Sequence, residues 1–196
     1  MSVSHSEFEP TSKDSASHVD AIGVMVAHHI KLRAHLVRLS TIDADMQRRD
    51  GESLDDAAEL AAAALDVFGR EGQLHSFDED ALLFPQLRET LGPADVAVRD
   101  ALDRVDAEHT EMVTLWPRLE CWLTRLLLPD EMVSLTDFHD ARLALEARFL
   151  PHLQFEERVI YPAARRLLGE VRLHEMMISM LAHRARPSQG KMLALP

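Results

Sequence analysis

Residues 75–85 read HSFDEDALLFP, and residues 152–162 read HLQFEERVIYP. Both fit one pattern: a histidine, a glutamate four residues on, a second acid directly after it, then an aliphatic residue, an aromatic and a proline. His152, Glu156 and Pro162 each follow His75, Glu79 and Pro85 by 77 residues. Side chains four apart on a helix lie one above the other. Each copy therefore directs an imidazole and a carboxylate the same way. Two such faces turned toward each other make a cage of nitrogen and oxygen donors suited to a metal ion.

The segments around the repeat carry helical seams. Ile22, Met25, His29, Leu32, Leu36 and Leu39 recur at steps of three and four, predicting a first helix that starts near His18–Asp20 and fades at 45–51. A second helix puts Ala61, Leu65, Phe68, Gly72, His75, Glu79 and Leu82 on one seam, and the LGP at 91–93 closes it. A third carries Leu102, Val105, His109, Met112, Trp116, Leu119, Leu123 and Leu126, with a kink expected at Pro117. After a break at Pro129–Asp130, a fourth runs from about Met132 to Leu168, with Leu145, His152, Glu156, Val159 and Ala163 inward and Gly169 as its stop. A short fifth, over about 170–183, has a face of Met176, Met177 and Met180. The fold class is all-α: an antiparallel up-down four-helix bundle with a short C-terminal fifth helix. The expected organisation is a disordered tail at 1–17, a bundle over 18–170, and a short helix with a loose tail over 171–196.

Counting to the turns tests whether the seam histidines share a level. His29 lies 22 residues before Gly51, and His75 lies 24 after it; His75 and His109 each lie 17 from Gly92; His109 and His152 lie 20 and 23 from Pro129. At about 1.5 Å per residue, each pair matches to within roughly a turn. Four histidines thus interrupt four apolar stripes at one level. His109 follows His29 by 80 residues, so the chain reads as a duplicated two-helix unit, each half giving one lone histidine and one His-x-x-x-Glu pair.

Composition sets the surroundings. Net charge is −12, with 21 basic against 33 acidic side chains, so phosphate backbones are repelled and nucleic acid is not an expected partner. The single cysteine, Cys121, forbids an internal disulfide and fits a reducing, cytoplasmic setting; an inert buried thiol is expected there. The polar stretch 1–17 lacks the apolar core of a secretory signal. No run approaches the roughly 18 apolar residues of a membrane span, so no membrane is expected.

Four imidazoles and two carboxylates suit a transition metal. One six-coordinate ion would leave no open position for chemistry, whereas two ions bridged by Glu79 and Glu156 would leave some. The spacing differs from the Glu-x-x-His of ferritin-type bundles. No zinc-protease motif is present either, since Ile178 stands where His174-Glu175 would need a second histidine.

These motifs, with HIKLRAHLVRL from His29 and EHTEMVTLWPRL around His109, resemble the hemerythrin-like, or HHE cation-binding, family over roughly residues 18–170. The resemblance implies two non-heme iron ions joined by an Fe–O–Fe or Fe–OH–Fe bridge. By position, their ligands would be His29, His75, Glu79, His109, His152 and Glu156. It implies a small diatomic or peroxide ligand: O₂, hydrogen peroxide or NO. The family's oxygen-carrier branch has a second histidine one turn along helix 3 and an aspartate in helix 4. Here the helix-3 positions are Val105 and Val113, and helix 4 carries Glu156. The missing ligand tilts the expectation from carrying oxygen toward reacting with it, as a peroxide- or NO-consuming oxidoreductase working with an unidentified redox partner, as monomer or homodimer. Other outcomes are an iron or oxygen sensor acting through the fifth helix, a di-iron oxygenase of a small organic substrate, and a metal-free helical interaction module.

Several further residues have two readings. His28 is a substitute ligand, or an outer or surface residue. Asp80 and Glu157 orient ligands or are simply solvated. Gly72 leaves room for a small ligand or for close helix packing. Met112 and Trp116 line an oxygen pocket or belong to the core. His35, His139, His174 and His183 fall off the layer and are expected in surface or capping roles; His5 and His18 belong to the tail. Tyr161, nine residues past His152, should point away from the site by about 180°.

Overall fold

The computed structural model describes residues 19–48, 51–128 and 132–185. The expected N-terminal and C-terminal tails, His5, His18 and the break at Pro129–Asp130 lie outside the described residues. Helix α1 is Ala21–Arg48; α2 runs over residues 51–90, α3 is Val96–Leu126, α4 runs over 135–168, and α5 over 170–184. No strand occurs among the described residues. The all-α bundle with a fifth helix is what the seams predict. Each long helix packs on its sequence neighbours, and α1 also packs on α4, which closes the ring.

Local chemistry sets the helix ends. Asp20 Oδ1 accepts the Gly23 N–H at 2.7 Å, so α1 starts at Ala21. Ser134 caps α4 by accepting from Asp137 N, and the helix starts at Leu135, three residues after the predicted Met132. Gly169 has φ 72°, a conformation favouring glycine, and it ends α4 as expected. Helix α3 continues through Pro117 without interruption.

The repeat extends to the backbone. In α2 a π turn spans Asp78–Leu83, and in α4 another spans Glu156–Ile160. In both, the glutamate carbonyl accepts the N–H of the aromatic residue five positions on: Phe84 to Glu79, and Tyr161 to Glu156. The following Pro85 and Pro162 lack an N–H, which weakens the ordinary i to i−4 ladder at this point. A further π turn, Val67–Glu71, precedes Gly72 in α2. Each π turn takes in one extra residue and shifts the inward face. Beyond them the seam moves from the predicted Leu82 and Val159, which are half-buried, to Leu83 and Ile160, which are fully buried. Leu65 is likewise half-buried, with Ala64 inward.

The apolar core is split in two. One cluster joins Ile22, Met25, Leu83, Phe84, Leu102, Val105, Ile160 and the α5 residues Leu173, Met176 and Met180. The other joins Leu32, Leu36, Phe68, Leu119, Leu123, Phe138, Leu145 and Leu153. Met177 is half-buried against the first cluster. Between the two clusters, on every long helix, lie the histidines and glutamates of the repeat.

Candidate metal centre

His29, His75, Glu79 and Glu156 bring donor atoms within 4.8 Å of one another, and so do His109, His152 and Glu156. All six residues singled out by the repeat and the layer therefore converge, with Glu156 common to both groups. All six are buried. Glu156 Oε2 lies 3.2 Å from His29 Nε2, and its Oε1 lies 3.1 Å from His152 Nε2 and 3.6 Å from His109 Nε2. Glu79 Oε2 lies 3.4 Å from His75 Nε2 and 3.6 Å from His109 Nε2.

Carboxylates behind the rings fix which nitrogen faces inward. His29 Nδ1 donates to Glu157 Oε1 at 2.9 Å, His109 Nδ1 to Asp80 Oδ1 at 2.8 Å, and His152 Nδ1 to Glu108 Oε2 at 2.9 Å. Asp80 and Glu157 thus orient rings, and Asp80 remains half exposed on its own side chain. A carboxylate only accepts, so Nδ1 must carry the hydrogen and Nε2 presents a lone pair. His109 Nε2 and His152 Nε2 meet at 3.2 Å, and His29 Nε2 and His75 Nε2 at 3.0 Å. In the first pair both Nδ1 hydrogens are already committed. Its lone pairs repel unless a proton or a metal cation lies between them.

The carboxylates carry the same message. Glu79 Oε2 and both oxygens of Glu156 are buried without a well-directed hydrogen-bond donor. Burial and the neighbouring Glu156 push the Glu79 carboxyl well above the usual range. For Glu156, burial is outweighed by the imidazoles of His109, His152 and His29, which hold it well below. The pair therefore holds about one negative charge rather than two. Burial and His29 hold the His75 ring well below the usual imidazole value, so it is neutral. Against the burial that opposes it, Asp80, Glu156 and Glu79 hold the His109 ring well above the usual imidazole value, so a proton rests there when no metal does. Orphaned acceptors, Nε2 atoms facing inward and a carboxylate pair together fit a cation.

Tyr161 overturns its expectation. Its hydroxyl donates to Glu79 Oε1 at 2.7 Å and lies 2.9 Å from His29 Nε2, in the middle of the cluster. The π turn after Glu156 sets the helix back by about 100°, so nine residues carry Tyr161 to roughly 80° from His152 instead of 180°. Burial and the two glutamates push its phenol well above the usual value. Its counterpart Phe84 stacks on His109 at 5.8 Å, as Tyr161 lies against His29 at 5.3 Å.

Sequence reasoning missed Glu108 as the partner of His152, although its place directly before His109 was a signal. His28 is buried outside both donor groups and meets Arg184 from α5. His35 is buried beside Arg38 rather than on the surface, His139 pairs with Asp43, and His183 stacks on Phe77 at 4.6 Å; His174 is exposed. Cys121 is exposed, correcting the expected buried thiol, because it lies between the inward turns of Leu119 and Leu123. A Cβ on Gly72 would meet Val67 O at 3.5 Å and Leu32 Cδ2 at 3.9 Å, ordinary contact distances, so the glycine adjoins neighbouring atoms and neither packing nor ligand space demands it. Met112 is buried, and Trp116 packs on the second apolar cluster, 5.5 Å from Phe68.

Fold and site together define a helical bundle built around a cation-binding layer. The model of the hemerythrin HHE cation-binding domain matches residues 20–164 and again residues 100–186. The chain belongs to that family. The second match begins 80 residues after the first, the spacing of His29 and His109. No curated protein and no solved structure matches the chain at a significant level.

Proposed function

We propose that His29, His75, Glu79, His109, His152 and Glu156 hold two iron ions, with Glu79 and Glu156 between them, and that the protein reacts with O₂, hydrogen peroxide or NO. The observation that carries this reading is the meeting of Nε2 lone pairs and orphaned carboxylate oxygens around Glu156. Bound there, iron would supply electrons and an open position for a small oxidant.

The protein's own groups supply the rest. Asp80, Glu108 and Glu157 hold three imidazoles in the tautomer that turns Nε2 inward. The two apolar clusters exclude water from the layer. The Tyr161 hydroxyl holds a proton at Glu79 Oε1, where it can be given to a reacting ligand. A proton donor at this point favours a protein that consumes peroxide or NO over a simple carrier. Electrons would come from a cellular redox partner, with the bundle of residues 18–170 as the working unit. Among the described residues no helix is long and apolar enough to cross a membrane.

Metal content measured together with the visible spectrum under air, peroxide and NO is the test. Coloured protein with about two irons per chain is expected, and O₂ release from peroxide would mark an enzyme. A colourless, metal-free and fully folded protein would overturn the proposal.

A further inference from the structure

The repeat pairs His29 with His109 and His75 with His152, and it pairs their outer partners as well. Glu157 and Asp80, each one residue past a glutamate of the cluster, accept from His29 and His109 at 2.9 and 2.8 Å. Glu108, the residue before His109, accepts from His152 Nδ1 at 2.9 Å and is itself held by Arg104 Nε at 2.8 Å. The residue before His29 occupies the equivalent place in the other half, and it is His28. Its ring lies beside that of His75, with centroids 5.7 Å apart. Yet its nitrogens meet Arg184 NH1, and His75 Nδ1 is buried without a partner. Arg184 is anchored in turn by Asp78, through Nε at 3.2 Å. Three of the four imidazoles thus have an anion behind them. Behind the fourth stand a histidine and a guanidinium.

An anionic partner raises the basicity of a ligating imidazole and fixes its orientation; losing one weakens metal binding by about 10–100-fold. The same half also carries Tyr161, whose hydroxyl occupies Glu79 Oε1, where the other half has Phe84 and no hydroxyl. We propose that the two metal positions are unequal. The position of His109, His152 and Glu156 fills first and retains its ion, while that of His29, His75 and Glu79, which shares Glu156, fills second and exchanges, because His28 stands where Glu108 stands in the other half. This rests on the metal-binding reading above, and it makes His28 a positioning residue acting through His75.

Anaerobic titration of the metal-free full-length protein with Co(II), read by its visible bands, tests this. Two steps separated by about 10–100-fold are expected. His75→Ala should leave the first step unaltered, and His152→Ala should remove it. His28→Glu would place a carboxylate between Arg184 and His75, as Glu108 lies between Arg104 and His152. It should tighten the second step and bring the two together, an affinity gain that loss of packing cannot produce. His28→Gln should not. Should His28→Glu fail to fold, Glu108→Gln should weaken the first step and close the gap from the other side. A single step with two equal ions, or a step separation unchanged by whichever of His28→Glu and Glu108→Gln folds, would overturn the inequality and leave metal binding intact. No cobalt uptake at all would overturn both.

Discussion

Two clusters of imidazole and carboxylate lie along this bundle, and they are closed differently. In one, Asp43 Oδ2 accepts from His139 Nδ1 at 2.6 Å and from Arg142 Nε at 3.1 Å. Arg142 NH1 reaches Ser40 Oγ at 3.1 Å and Glu146 Oε2 at 2.7 Å. No buried polar atom of these side chains lacks a partner among the described residues. In the other, six buried ligand-type side chains meet without a guanidinium or ammonium among them, and four of their atoms stay orphaned. Arg33, Arg104 and Arg184 all stand outside, behind Glu157, Glu108 and Asp78. A histidine beside a buried carboxylate is thus no sign of a metal by itself. The sign is a carboxylate faced by several imidazole Nε2 atoms, with no guanidinium or ammonium to balance it.

The sharpest way to break the comparison is to remove the shared ligand. Glu156 belongs to both donor groups. Glu156→Ala should therefore lose both ions, an effect larger than the roughly 10–100-fold that outer partners are worth. Metal analysis after dialysis reads it. Full metal retention would mean that the layer is not the binding site.

The converse change is Arg142→Met. Removing one partner of a buried ion pair costs up to about 3–5 kcal/mol of stability, and here His139 stays on Asp43 as a donor, which sets the loss toward the lower end. Denaturant unfolding should show a loss of that order, with metal content per folded chain unchanged. A variant that lost metal while keeping its stability would show that the two clusters are coupled.

How much of this difference could be read beforehand follows from helix geometry. The ligand layer was legible because a His-x-x-x-Glu pair spans one ordinary turn and because the distance from each histidine to its turn is a residue count. Tyr161, Leu83 and Ile160 were not, because seam reading assumes 3.6 residues per turn, and the π turns after both glutamates break that period. The Asp43–Arg142 cluster was not legible either. Its members lie 99 residues apart with no repeated motif between them. Exposed Cys121 was misread because residue type was weighed above its place between Leu119 and Leu123.

Acid should separate the clusters further. Imidazole ligands must be neutral to bind, so acid should release the metal. Arg142 keeps its charge in acid, so the fold should outlast the metal. The metal-free chain keeps an acid sensitivity of its own through His35, whose value burial and then Arg38 hold below 6.5. Around that pH the unfolded chain takes up a proton that the folded one refuses. Stability is therefore fully present above 6.5 and falls as the pH drops below it. His35→Gln should flatten that slope in metal-free protein; an unchanged slope would remove His35 from the account.

The smallest effect should come from His139→Gln. His139 is the exposed member of the closed cluster, with 42% of its side chain accessible. Asp43 would keep its Arg142 donor, and the amide of glutamine can still donate. Exposed pairs contribute about 0–1 kcal/mol, so the unfolding midpoint should scarcely move. The same exchange in the other cluster, His152→Gln, removes an imidazole that no guanidinium can replace. It should cost metal while scarcely changing the polar surface. If His139→Gln destabilised the fold as much as Arg142→Met, the closed cluster would depend on its imidazole after all, and the distinction between cation-closed and cation-awaiting layers would fail.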